Sequence, residues 1–144
     1  MKKLNLFFFL ICSIVFVQKN CLANTKIPIK ITKIYDGDTV EAKINENIFS
    51  IRLQGIDCFE TSINNRAYKQ AYENNIKIED VIKKGEFARK HLVKLYKNSN
   101  EASFVFKGID KYSRVLGILF FDNLNINNEL INEKLCIPFF YKEK

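Results

Sequence analysis

The sequence has one histidine, His91, no tryptophan, two prolines and five glycines among its 144 residues. A lone histidine and four scattered cysteines leave no Cys/His spacing of the kind that holds zinc. No internal repeat, long linker or low-complexity tract is present, which excludes repeat arrays. What is there is ordinary for a globular chain. Hydrophobic residues make up 47% and charged residues 27%, a balance that excludes disorder, and the length suits one domain with one core.

The longest apolar run is also short. "LNLFFFLICSIVFV" follows the basic "MKK" and precedes "CLA", and it is too short for a comfortable membrane span. It reads as a secretory signal over residues 1–23, cut after Ala23, with a mature domain at 24–144. A retained membrane anchor is the competing reading; Lys19 and Asn20 before Cys21 do not form a lipid-attachment box. Cleavage removes Lys2, Lys3 and Lys19, so the net charge falls from +7 to +4, with 20 basic against 16 acidic residues. That modest excess suits an anionic partner. Two cysteines remain, Cys58 and Cys136, in a chain expected in a periplasm or outside the cell, without stable membrane association and as a monomer.

Along the mature chain the period of the pattern changes. "KIPIKITKI" alternates at Ile27, Ile29 and Ile31 and reads as a strand, with Pro28 at a sheet edge. "TVEAKI" and "FSIRLQG" alternate at Val40, Ala42, Ile44 and at Phe49, Ile51, Leu53, with a turn at "NEN" between them. The segment "TSINNRAYKQAYENNIKI" is polar and reads as a loop with a short helical piece. Val81, Gly85, Ala88, Leu92 and Leu95 then recur at helical spacing. "ASFVFKG" and "RVLGILFF" read as two further strands, and "NINNELINEKL" as a second amphipathic helix carrying Ile126, Leu130, Ile131 and Leu135 on one side. The expected fold is mixed α+β: a five-stranded Greek-key barrel of the OB type with two or three packed helices.

Three polar clusters interrupt this pattern: Asp36 and Asp38 around Gly37; Arg52, Asp57 and Glu60 in "RLQGIDCFE"; and Asp110, Lys111, Tyr112 and Arg114 in "DKYSR". Each alone is unremarkable, since Asp-Gly is a turn signal and charges at strand ends face solvent. Two nearby carboxylates repel unless a cation lies between them, and carboxylates with no imidazole favour an oxygen-loving ion such as Ca²⁺. An EF-hand is excluded, because counting from Asp36 puts Glu41 where glycine is needed and Asn47 where glutamate is needed.

Taken together and in order, "DGDTV", "RLQGIDCFE" and "DKYSR", followed by "INNELINEKL", resemble the staphylococcal nuclease (thermonuclease) family over about residues 29–140. The resemblance implies an OB barrel that hydrolyses DNA and RNA with Ca²⁺. It implies Asp38 and Asp57 as carboxylate metal ligands, the backbone oxygen of Cys58 as a further ligand, and Asp36 in the outer shell. Arg52 and Arg114 would hold the scissile phosphate, Glu60 would be the general base, and Lys111 and Tyr112 would contact a terminal phosphate. Such a set suits the chemistry, because arginine forks and a cation stabilise charge that grows on the phosphoryl oxygens.

The sequence departs from the family in places. Phe59 replaces a proline before Glu60, so that loop is either looser or held by other packing. Ser113 replaces the glycine before Arg114, which would shift the reach of that arginine. Lys134 replaces the glycine that ends the second helix, a poorer left-handed cap. The segment after Glu60 is longer than in the prototype, which also continues into a third helix beyond the place of Lys144. The resemblance further brings Cys58 near the chain leaving the second helix, so Cys58 and Cys136 would either form a disulfide or pack as two thiols. The alternative to a secreted nuclease is a catalytically silent OB module that binds nucleic acid or protein; Glu60, a negative charge beside a phosphate track, favours catalysis.

Overall fold

In the computed structural model, which describes residues 25–140, alternating apolar residues form strands that wrap one core. The signal expected over residues 1–23 lies outside the described residues. The strands β1 (Lys26–Ile34), β2 (Thr39–Ile44) and β3 (Asn47–Leu53) form an antiparallel meander. The pair Ile44↔Asn47 leaves Asn45 and Glu46 as the hairpin loop. β5 (Ala102–Ile109) and β6 (Val115–Phe121) form a second antiparallel pair. β1 pairs with β5, and β3 pairs in parallel with β6, so β1, β2, β3, β6 and β5 close into a five-stranded mixed barrel. Pro28 pairs with Ser103 of β5 and precedes the ladder to β2, which starts at Lys30, so it is at the edge on that side.

Period two decides the core. Val40, Ala42, Ile51, Leu53, Leu119 and Phe121 point inward, while their neighbours face water or a helix. Burying each large aliphatic side chain contributes about 1.5–3 kcal/mol before entropy is counted. The helix α2 (Ile78–Lys97) lays Val81, Gly85, Ala88 and Leu92 inward.

Three features differ from the expectation. The polar segment after Glu60 is not mainly loop: it holds α1 (Asn65–Asn74), started by Asn64, whose side chain accepts from the Ala67 N–H at 2.8 Å. The last helix, α3 (Ile126–Asn132), stops before Leu135. Lys134 takes φ 56°, and the bonds Leu135 N–H to Leu130 O and Lys134 N–H to Ile131 O, both 2.9 Å, form a Schellman turn. The third difference is a set of short strands: β4 (Ile56–Cys58), β7 (Leu124–Asn125) and β8 (Cys136–Pro138). β7 turns back to pair antiparallel with β6, and β8 pairs antiparallel with β4 so that Cys136 lies opposite Cys58. The two are disulfide-bonded, with Cα atoms 4.2 Å apart, and the bridge spans 78 positions of sequence. It fastens the segment leaving α3 to the strand that carries Asp57.

Candidate active site

The turn between β1 and β2 is set by its two aspartates. Asp36 Oδ1 accepts the Asp38 N–H at 2.9 Å, closing an Asx turn. Gly37 lies against the disulfide: a Cβ there would stand 2.8 Å from Cys58 Sγ and 2.9 Å from Ala88 Cβ, so only glycine lets the turn approach. Asp38 is thereby buried, and its Oδ2 accepts the Cys58 N–H at 2.6 Å.

Arg52 comes from β3, opposite Thr39 in the β2–β3 ladder, with its side chain 9% exposed. One guanidinium nitrogen meets Asp38 Oδ1 and the other donates to Asp57 Oδ1 at 3.1 Å. A guanidinium therefore lies between the two carboxylates. Such a pair is costly to desolvate and survives because the geometry satisfies both partners. Burial raises the pKa of Asp36 from its ordinary value, against the pull of Arg52, hydrogen bonds from Thr39 and the charge of Arg114. Both arginines thus act on one carboxylate.

The stretch from Asp57 to Glu60 is held from α1. Gln70, 5% exposed, donates to the Cys58 carbonyl at 2.9 Å and accepts the Glu60 N–H at 3.0 Å. Asn64 donates to Glu60 Oε2 at 3.0 Å, and Arg66 reaches both Asp57 Oδ1 at 2.5 Å and Glu60 Oε1 at 3.4 Å. From the other side the backbone of Glu60 presses on α2, where a Cβ on Gly85 would stand 2.2 Å from the Glu60 carbonyl oxygen. These contacts supply the rigidity that Phe59, in place of proline, does not.

The β5–β6 loop supplies the third side. Asp110 Oδ1 accepts from the N–H groups of Tyr112 at 2.8 Å and Arg114 at 3.0 Å, and its Oδ2 accepts from Arg114 Nε at 2.8 Å. Burial works to raise the Asp110 pKa, but the hydrogen bonds from Arg114 and Tyr112 outweigh it and the net shift is downward. Ser113 takes φ 61°, the left-handed conformation that glycine would adopt more easily, and the loop still closes with Asp110 N–H on Arg114 O at 2.9 Å. Tyr112 is 67% exposed, with Lys111 Nζ 5.0 Å and Arg114 Cζ 5.5 Å from its ring centre.

One cleft of about 830 Å³ is lined by Asp36, Asp38, Arg52, Asp57, Glu60, Lys111, Tyr112 and Arg114. Three segments far apart in sequence thus converge there. The Cys58 side chain lies in the disulfide, and its carbonyl, the atom of interest for a metal, shares its lone pairs with Gln70. Arg66, Asn64 and Gln70 escaped the sequence reading. The signal was a weak one: Arg66 and Gln70 stand four apart on one side of α1, which Asn64 caps and whose buried residues are Ala67 and Gln70, with no apolar stripe to mark it. His91 lies on α2, outside the cleft lining; its Nε2 is buried without a hydrogen-bond partner among the described residues, as a packing residue.

Among the described residues no group of three or more His, Cys, Asp or Glu side chains is arranged as a metal cluster. The donor set nevertheless fits a hard cation in kind. Asp38 and Asp57 face the same guanidinium, the Cys58 N–H donates to Asp38 while its carbonyl accepts from Gln70, and the two carboxylates and that carbonyl all offer oxygen. No thiolate or imidazole is available in the cleft lining.

A family model described as "Staphylococcal nuclease homologue" matches residues 50–144. The match starts in β3, so Asp36 and Asp38 stand before it and Arg52, Asp57, Glu60 and Arg114 stand within it. "Uncharacterized protein MJ1439" of Methanocaldococcus jannaschii is 31% identical over 112 residues, which cover 71% of this chain and 54% of that protein. The chain therefore spans about half the length of this curated relative.

Proposed function

Because the chain belongs to the staphylococcal nuclease homologue family, we propose that it is an exported, calcium-dependent nuclease that hydrolyses phosphodiester bonds of DNA and RNA. One observation carries this reading: Arg52 lies between Asp38 and Asp57 in the same cleft as Glu60 and Arg114. A binding module has use for the arginines but not for three carboxylates facing a phosphate.

Asp38, Asp57 and the Cys58 carbonyl would hold Ca²⁺. When bound, the ion supplies Lewis-acid stabilisation of charge on the phosphoryl oxygens. Every other part belongs to the chain. Arg52 and Arg114 direct guanidinium charge at the phosphate oxygens, and the charge they meet is largest in the transition state. Asp38 and Asp57 fix the Arg52 fork, and Asp110 fixes that of Arg114 at 2.8 Å. Glu60 orients the attacking water and takes its proton; Asn64 and Arg66 hold its two oxygens in place. Tyr112, flanked by Lys111, offers a face and a positive edge to the neighbouring nucleotide. Contacts to phosphate rather than to base edges give no discrimination between sequences.

Export is supported by the signal-like residues 1–23 and by the disulfide, which persists in oxidising compartments. The test is cleavage of plasmid DNA and of RNA by the mature protein with Ca²⁺ and with chelator. Cleavage of both that stops in chelator is expected. No cleavage with any divalent ion, while binding persists, would instead make it a silent OB module.

A further inference from the structure

A second groove runs along α2 on the far side of the Glu60 loop. It encloses about 580 Å³ between α2 and the end of α3. Its apolar lining includes Phe59, Ile76, Phe87 and Leu135, and its rim carries lysines from α2 and Lys134. Lys83, Phe87 and Lys90 stand four and three residues apart, on one face of the helix over about 10 Å of its axis. Phe87 is 63% exposed in the middle of this basic stripe. Two acids also line the groove, Asp80 and Glu86, and Glu86 is already paired with Arg89 at 2.8 Å. The groove therefore combines a net basic charge with an apolar lining.

The groove and the cleft share a wall. Phe59 lines the groove and the next residue, Glu60, lines the cleft. A polymer held at Glu60 that leaves past Phe59 enters the groove. A duplex would present only its phosphates to the lysines, and its bases would be stacked on one another. An unpaired strand presents both parts that this surface matches: phosphates for lysines and a π-face for an aromatic ring.

We propose that this groove is an accessory binding site for single-stranded nucleic acid, with phosphates on Lys83, Lys90 and Lys134 and a base stacked on Phe87. The site rests on the nuclease reading only for its purpose, which is to hold the strand beyond the bond being cut. It makes affinity depend on length: a short oligomer fills the cleft, whereas a longer one fills both.

The experiment uses full-length mature protein carrying Glu60→Gln, so that the probe is not consumed, and labelled oligothymidylates of 4 and 20 nucleotides read by fluorescence anisotropy. The 20-mer should bind more tightly than the 4-mer. Adding Lys83→Gln with Lys90→Gln, or Phe87→Ala alone, should shrink that preference about tenfold, in line with the stacking contribution of one base. The double lysine change should also lower the slope of log affinity against log salt by about 1.4, two phosphates' worth for a single strand. An unaltered length preference in both variants, or an equal loss on a 20-base-pair duplex, would overturn the proposal. The readout is binding, so it is separate from the nuclease reading: a wild-type chain that cleaves nothing sinks that reading and leaves this measurement standing.

Discussion

Gln70 grips Glu60 by its backbone: the amide oxygen of Gln70 accepts the Glu60 N–H at 3.0 Å, while the amide nitrogen donates to the Cys58 carbonyl at 2.9 Å. One buried side chain from α1 thus spans the stretch that carries Asp57 and Glu60. Gln70→Ala leaves the buried Cys58 carbonyl and the part-buried Glu60 N–H without this partner, and a buried group left unsatisfied costs about 1–3 kcal/mol. We expect a lower urea midpoint together with a drop in kcat of tenfold or more, with KM for a dinucleotide little changed. A lower midpoint with normal kcat would make Gln70 a structural residue only.

Gly85 tests the same loop from the opposite side. An added methyl group would collide with the Glu60 carbonyl oxygen at 2.2 Å and the Phe59 carbonyl oxygen at 2.6 Å, so the loop or the helix must move. Alanine is the better helix former by roughly 1 kcal/mol. Gly85→Ala is nevertheless expected to lower both stability and turnover, as measured by thermal melting and initial rates. Gains in both would show that the loop yields freely and that Glu60 needs no support from α2.

The Cys58–Cys136 bridge encloses 78 positions of chain. By loop-closure entropy it contributes about 4 kcal/mol, much of the stability of a small domain. It also backs the Gly37 turn and the strand that bears Asp57. Reduction is expected to lower the melting temperature and to weaken Ca²⁺ binding, measured by calorimetry with and without dithiothreitol. Titration of unfolded, unreduced protein should find no free thiol among these two; two free thiols would contradict the bridge.

How far the sequence foretold this follows from which signals are local. The barrel strands announce themselves because Val40, Ala42, Ile51 and Leu53 repeat at the period of a strand buried on one face. The helix α2 was legible through Val81, Gly85, Ala88 and Leu92. The converging Asp38, Arg52, Asp57, Glu60 and Arg114 were legible through the family resemblance rather than from spacing. By contrast, α1 buries only Ala67 and Gln70, so its inner face carries almost no hydrophobic signal. Its Arg66 and Gln70 have the polar side chains of solvent-facing residues, and only the fold turns them onto the stretch from Asp57 to Glu60. The strands β4 and β8 are three residues each, too short for a period to show. At Ser113 and Lys134 tertiary context imposes a left-handed backbone that the residue type does not favour, and α3 ends before Leu135, short of the helix expected from the sequence, at the second of these.

The central claim is that Glu60 and Arg52 hydrolyse a phosphodiester held in one cleft. Its most direct test is the initial rate of cleavage of a fluorogenic oligonucleotide at saturating Ca²⁺ by the mature protein, by Glu60→Gln and by Arg52→Ala, with circular dichroism confirming the fold of each. The account predicts a measurable wild-type rate that falls by about 10² or more in both variants. Equal rates in folded wild type and variants would contradict it.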